Sequence, residues 1–362
     1  MKVTKAKIAV LALAAALCVA LSGCMQPINA NSGYKNLNTN NLVGWNTGTS
    51  LNYFSYPRGM AVDSSGNIYV VDSGNDRVVM IPSGSNDIAS TNWVSYPNTA
   101  YPGIPVAYTL YAPEGIAVDP AGQNIWIADS GNGRIVHLKT ADWQTSNPTF
   151  DYCTTVNLGS TSHALAYPTG VAFYTDGTNS YLYATDPGSS FPDNKPVVFS
   201  TRLAASTLAF SGPTVAASAY TNNGKGSGPY QFSYPRGIAV DVSGNVYVAD
   251  ETNYWIVKMG PGLTTGWTTL GTRGSGTRQF ISPQTIAVDS SGIYVVDSAN
   301  YWVVKMSDIY GDGWTKYAFQ EGKSNSESLN SIYPNWVAVS TSGSTTSIFV
   351  SDDTQYLIAE FQ

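Results

Sequence analysis

The chain has 362 residues, 43% of them hydrophobic and 12% charged, with 18 Lys and Arg against 24 Asp and Glu for a net charge of −6. An acidic balance with so few cations excludes the basic face that nucleic-acid binding requires, while the length is ample for one substantial buried core. Asn, Ser, Thr, Gly and 24 tyrosines replace the missing charges, so the surface hydrogen-bonds more than it ion-pairs.

At the N-terminus, Lys2, Lys5 and Lys7 precede an uncharged apolar run over residues 8–21. It is too short and too one-sided in its flanks for a transmembrane span, and predicts a signal peptide over residues 1–23. The run closes with Leu21-Ser22-Gly23-Cys24, which resembles the lipobox of bacterial lipoproteins. That resemblance implies cleavage before Cys24, a membrane anchor of lipid on Cys24, and an extracytoplasmic place in the bacterial cell envelope. Met25 is not the aspartate associated with inner-membrane retention, which favours an outer membrane where one exists. With Cys18 removed and Cys24 lipidated, Cys153 has no partner for an internal disulfide. Residues 24–40 are polar and aperiodic, the composition of a flexible tether, and the folded domain is expected over 41–362.

Six copies of one pattern fill that domain: an aromatic-rich turn, a proline, a short apolar strand, a Gly-containing turn, a second strand ending in Asp, and a third β-branched run. They are anchored at Pro57, Pro113, Pro168, Pro235, Pro283 and Pro334, with spacings of 56, 55, 67, 48 and 51 residues. That period suits a four-stranded propeller blade and is too long for leucine-rich or tetratricopeptide units. First strands are expected at residues 60–62 and their counterparts, second strands at 68–71, 125–128, 246–249 and 293–296, third strands at 78–81, 135–138, 256–259 and 303–306. The least regular, outer strands begin at Trp93, Trp267 and Trp314. Asp63-Ser64-Ser65-Gly66-Asn67 and its counterparts at Asp241 and Asp289 carry hairpin chemistry, an Asp to accept amide protons and a Gly for positive φ. Copy six ends without an outer strand, and residues 42–46, strand-like with nothing before them, are expected to complete that blade and close the ring. The fold class expected is all-β, a six-bladed β-propeller.

The run Pro-x-Gly-Ile-Ala-Val-Asp, then Gly-Asn-Val-Tyr-Val-Ala-Asp, then Asn-x-Arg/Trp-Ile/Val-Val resembles the NHL repeat over nearly all of the domain. Copies one, two, four and five fit it closely. Copies three and six have Tyr174 and Ser340 in place of the first Asp, which predicts irregular turns there.

The resemblance implies that the first strand of each blade lines a central channel and that the loops before it share a binding face with those after the second strand. The residue after each proline then sits at the channel mouth: Arg58, Glu114, Thr169, Arg236, Gln284 and Asn335. Of these, Arg58, Glu114, Arg236, Gln284 and Asn335 are the candidate ligand-binding residues, two cations near one acid that suit an anionic or glycan-like ligand. The Asp and Asn that recur after the second strands, Asp250, Asn253, Asp297 and Asn300 among them, fit best as acceptors and donors for loop backbone.

No cofactor is predicted, apart from the possibility of a single divalent cation in the central channel, where Glu114 and first-strand carbonyls converge. The turn motifs supply one carboxylate each, too few for a calcium loop. Two histidines, His137 and His163, cannot build a three-histidine zinc site of the kind NHL-like amidating lyases use. A lactonase-like metal set would draw on Glu114 with Asn253 or Asn300 and Asp250 or Asp297, and a lyase-like base would be His163. No catalytic residue stands out from the repeat. The reading is therefore a lipid-anchored binding module for a protein or glycan partner, monomeric and without nucleic acid, and the alternative is a metal-dependent lactonase-like hydrolase or lyase at the channel mouth, with Glu114 and His163 as its catalytic candidates. The aromatic Phe54-Ser55-Tyr56-Pro57 and Phe232-Ser233-Tyr234-Pro235 segments are expected to pack between blades, leaving Tyr101, Tyr108, Tyr111 and Tyr230 for surface contacts.

Overall fold

A computed structural model describes residues 35–36, 54–83, 93–96, 109–143, 150–188, 195–221, 225–318, 333–354 and 356–361. The expected signal peptide, Cys24, residues 42–46, Tyr101 and Tyr108 lie outside the described residues.

Six sheets form the blades, antiparallel except for one parallel pair at the outer edge of blade three. From centre to edge, blade one is Pro57–Val62, Ile68–Asp72, Arg77–Ile81 and Val94–Tyr96, and blade two is Ile116–Val118, Asn124–Asp129, Arg134–Lys139 and Phe150–Cys153. Blade four is Pro235–Val240, Val246–Asp250, Trp255–Met259 and Thr268–Leu270, and blade five is Pro283–Asp289, Gly292–Asp297, Trp302–Met306 and Thr315–Ala318. The second strands are buried on both faces, which is why they read as continuous Val, Ile and Ala rather than as an alternation.

Blade three is larger than expected. Gly170–Thr175, Ser180–Asp186, Val197–Arg202 and Thr214–Tyr220 form its four strands, and a hairpin of Thr155–Leu158 and Thr161–Ala164 extends the outer edge, its first strand running parallel to Thr214–Tyr220. The hairpin covers an edge that would otherwise stay open. Its inner turn departs from the repeat in an intelligible way. The strands continue two residues further, pairing Tyr174 with Tyr181, and Asp176 then takes over the anchoring role by accepting the amides of Thr178 and Asn179. Blade six behaves similarly: Pro334–Ser342 and Thr345–Asp352 stay paired to the Ser342–Thr345 step, so a longer hairpin replaces the Asp turn.

Leu357–Phe361 is the third strand of blade six, and Lys35–Asn36 pairs antiparallel with it, Lys35 opposite Glu360. The ring is thus completed by an N-terminal strand, as expected, but one seven residues ahead of residues 42–46 and inside the stretch assigned to the tether.

Closure is also visible in the packing. Six hydrophobic clusters of described residues each straddle one blade junction, including blade six to blade one, where Trp336, Ala338, Phe349 and Ile358 meet Met60, Val70 and Val79. Phe54, Phe232 and Phe280 are buried in three of these clusters against Trp93, Trp267 and Trp314, with ring centroids 5.7, 5.4 and 5.3 Å apart. The phenylalanines of the segments before the prolines are therefore inter-blade packing, whereas Tyr56 and Tyr234 of the same segments are exposed. Cys153 is buried and free at the junction of blades two and three, where burial pushes its thiol up to about 12.

Near the axis the first strands come so close that a side chain is excluded. A Cβ on Gly59 would lie 2.3 Å from the Glu114 carbonyl oxygen, and one on Gly170 would lie 2.3 Å from that of Arg236. This close approach is the physical reason for glycine in Pro-x-Gly.

Candidate functional site at the channel mouth

Each second strand ends in an Asp that is wholly buried: Asp72, Asp129, Asp186, Asp250, Asp297 and Asp352. Each accepts amide protons from the loop leading into its own blade. Asp72 takes Ser55, Asp129 takes Tyr111, Asp297 takes Ile281 and Ser282, and Asp352 takes Tyr333. The side chain three residues on, Asn75, Asn132, Asn253 or Asn300, donates to the second oxygen at 2.6–2.9 Å. Asp250, Asn253, Asp297 and Asn300 are thereby tied within their own blades and do not converge on Glu114. Burial raises the carboxyls of Asp72, Asp250 and Asp297 above the ordinary range, with these hydrogen bonds opposing it.

His163 belongs to the same scheme. Blade three lacks the Asn, and the imidazole Nε2 of His163 lies 3.1 Å from Asp186 Oδ2 in its place. His137 is buried inside blade two, stacked on Trp126, with its ring nitrogens 2.7 Å from Asp151 and 3.0 Å from Asn124 Oδ1. The turn aspartates are equally occupied: Asp63 and Asp241 each accept two turn amides, an Asn side chain and a tyrosine hydroxyl. Among the described residues, no group of three or more His, Cys, Asp and Glu side chains is arranged to hold a metal ion.

The positions after the prolines behave differently, because the backbone repeats and the side chain does not. Glu114, 2% exposed, lies between two guanidinium groups: Oε1 pairs with Arg58 and Oε2 with Arg236 Nη2 at 3.2 Å. Arg236 reaches from blade four across to blade two, so the cluster bridges the channel rather than lining it. Its other terminal nitrogen meets Glu251 at 3.5 Å, and Glu251 accepts Ser282 at 2.6 Å and Gln284 at 3.4 Å. Burial works against the Arg236 charge, but Glu114 and Glu251 outweigh it and hold the pKa above the usual arginine value. Asn335 donates to Asp353 at 3.0 Å, and burial lifts the Asp353 carboxyl despite the opposing pull of Arg58 and Arg236. Thr169 is not part of this mouth. It is buried, with its hydroxyl turned to Thr185 and to the carbonyls of Pro235 and Arg236, so blade three fixes the Arg236 backbone instead.

The expectation of two cations with one acid is therefore corrected to a balanced cluster. Glu114 already neutralises both arginines in part, and Glu251 and Asp353 add two carboxylates. Four buried polar atoms of this cluster have no hydrogen-bond partner: Arg58 Nε, Arg236 Nε, Gln284 Oε1 and Asn335 Oδ1. Such atoms ordinarily cost about 1–3 kcal/mol each when left unmade.

Tyrosines surround the cluster at every blade junction. Tyr111, Tyr167, Tyr234 and Tyr254 mark the first four in order, and the edge-to-face pairs Tyr301–Tyr333 and Tyr56–Tyr356, with centroids 5.1 and 5.2 Å apart, mark the last two. The Tyr167 hydroxyl lies 3.4 Å from Glu114 Oε1. Tyr56, Tyr254, Tyr301 and Tyr356 hold positive φ of 50–61°, a conformation uncommon for a bulky residue. Sequence reasoning marked Tyr111 but missed this collar, although its members other than Tyr111, which lies two residues before Pro113, recur at two fixed offsets, directly before the proline and four residues after the second-strand Asp.

A cleft of about 610 Å³ lies on the opposite face, between the turns of blades four and five, lined by Asp241, Val242, Lys258, Asp289 and Tyr310 among others. None of the unpartnered buried atoms belongs to its lining.

Residues 54–79, 110–138 and 232–259, in blades one, two and four, match the NHL repeat. The protein is thus a six-bladed β-propeller with three NHL repeats, and the close fit read in copy five lies outside the matched stretches. No curated protein matches the chain. Among solved structures, a protein of unknown function from Bacteroides thetaiotaomicron VPI-5482 is similar at 16% identity and a TM-score of 0.54, over 85% of this chain and 70% of that one. A nidogen/laminin complex is similar at 19% identity and a TM-score of 0.49, over 72% and 80%. A catalytically inactive virginiamycin B lyase from Staphylococcus aureus with quinupristin stands at 14% and 0.49, over 84% and 79%. These likenesses are of fold.

Proposed function

We propose that this protein is a lipid-anchored, extracytoplasmic binding module that receives a protein or glycan partner on the tyrosine-ringed mouth of its channel. The anchor and the envelope location rest on Lys2, Lys5, Lys7, the apolar run and Cys24. The observation that carries the binding role is the cluster at the mouth, where Arg58, Glu114, Arg236, Gln284 and Asn335 occupy equivalent backbone positions with unlike side chains. Unlike side chains on a constant backbone give the mouth a distinctive set of charged and hydrogen-bonding groups, as a recognition surface does.

The hydrolase and lyase alternatives draw on side chains that already have other tasks. Both oxygens of Glu114 face guanidinium groups, and His163 is held by Asp186. To test the binding role, the full chain is mixed with a solubilised envelope fraction, and capture by wild type is compared with Arg58→Ser, Arg236→Ser and, on the opposite face, Tyr310→Ser. Loss of capture in the first two and retention in the third is expected. Retention in all three would contradict the assignment, and one stoichiometric divalent ion lost on Glu114→Ala would favour the hydrolase.

A further inference from the structure

We infer that the channel mouth is shaped for a neutral, hydroxyl-rich ligand, the end of an uncharged oligosaccharide seated on the arginine–glutamate cluster inside the tyrosine collar. This rests on the binding role above and narrows it to one chemical class.

Charge excludes the first alternative. Arg58 and Arg236 are already matched by Glu114 and Glu251, so a phosphate or uronate finds no unneutralised cation to pair with. A cationic ligand fares no better, because it needs an open carboxylate oxygen. Glu114 gives its two to the arginines, Glu251 gives Oε2 to Arg236 and Oε1 to Ser282 and Gln284, and Asp353 takes Asn335 on Oδ2, leaving one oxygen on a carboxyl whose charged form burial disfavours.

The unfilled capacity is neutral and two-sided: donors at Arg58 Nε and Arg236 Nε, acceptors at Gln284 Oε1 and Asn335 Oδ1. Asn335 is 9% exposed, so bulk water is a poor substitute there. A hydroxyl is the uncharged group that both donates and accepts at one atom, and neighbouring sugar hydroxyls present several such atoms within a few ångströms. Around them, Tyr56, Tyr111 and Tyr234 remain exposed, each offering an apolar ring face with a polar tip, which suits the alternating C–H and O–H edges of a pyranose. A peptide partner would supply a donor and an acceptor once per residue along an extended backbone, a sparser match to four atoms gathered at one mouth.

The test is calorimetric titration of the full chain in detergent with maltohexaose, cellohexaose, xylohexaose and mannohexaose, and with oligogalacturonate as the charged counterpart. At least one neutral hexasaccharide should bind, with affinity changing less than about twofold between low and high salt, because no ion pair forms across the interface. Gln284→Ala and Asn335→Ala should each weaken it on the order of tenfold, while Val242→Ser on the opposite face leaves it unchanged. The wild-type salt response needs no variant, so the test survives if either alanine variant fails to fold. Absence of binding by all four neutral sugars, or tighter and salt-steep binding of the uronate, overturns the inference. Capture of envelope material through Arg58 and Arg236 without sugar binding would leave the binding role standing and remove only the glycan. Envelope capture independent of both arginines, together with no sugar binding, removes both.

Discussion

The two faces of this propeller use the same device, an Asp side chain that ties down a loop, and differ in what surrounds it. On the face opposite the mouth, Asp63 and Asp241 repeat with the same partners, Asp119 and Asp289 keep the same turn-anchoring role with other side chains, and blades three and six use longer hairpins. On the mouth face the buried Asp repeats just as faithfully, yet the adjoining position after each proline changes from Arg to Glu, Thr, Arg, Gln and Asn. Recurrence therefore marks structure, and the recognition reading rests on the varying side chains that reach the mouth, Thr169 excepted because it braces the Arg236 backbone.

The comparison is broken most sharply at Glu114. Glu114→Ala leaves two guanidinium groups without their shared counter-charge. It should cost about 3 kcal/mol in denaturant unfolding, the lower end for a buried pair because Arg58 is partly solvated. No loss would mean that the cluster is a set of screened surface pairs. Next in size, Asp297→Ala strands the buried amides of Ile281 and Ser282 together with Asn300, for about 2–3 kcal/mol, against about 1 kcal/mol for Asp241→Ala on the opposite face, where water replaces the lost acceptor. Equal losses would erase the distinction between the faces. Gly59→Ala places a Cβ against the Glu114 carbonyl and should cost about 2 kcal/mol by parting blades one and two.

The smallest effect is a pH dependence. Burial lifts the folded carboxyl of Asp353 above its unfolded value of 3.8. A raised folded value means that its contribution is fully present below about pH 4 and is lost as pH rises through the folded value. Stability of the wild type relative to Asp353→Asn should therefore be greatest in acid and decline toward neutrality, measured by unfolding at several pH values. A difference that grows with pH would show that the arginines, rather than burial, dominate at Asp353.

Much of this architecture was legible beforehand because a blade is local. Proline, glycine and Asp at fixed offsets specify strands, turns and the order of the sheets, and Phe54 and Phe232 could be assigned to inter-blade packing from their pattern alone. What escaped depended on contacts between distant copies. Arg236 meets Glu114 across an intervening blade, Glu251 joins the mouth from a loop position that carries Ser in blades one, two and five, and Thr169 turns away because it braces its neighbour's backbone. The blade-three hairpin was missed because residues 155–164 carry no repeat signature, and the closing strand Lys35–Asn36 because two polar residues leave no periodicity to read.

The central claim is that the partner meets the mouth face. It is tested most directly by placing a photo-crosslinking phenylalanine at Tyr111, 60% exposed beside the mouth, and in a second variant at Tyr310, 65% exposed on the opposite face, and irradiating the full chain in its native envelope. A saturable adduct from the Tyr111 site and none from the Tyr310 site is the predicted result; the reverse, or equal labelling from both, would contradict the account.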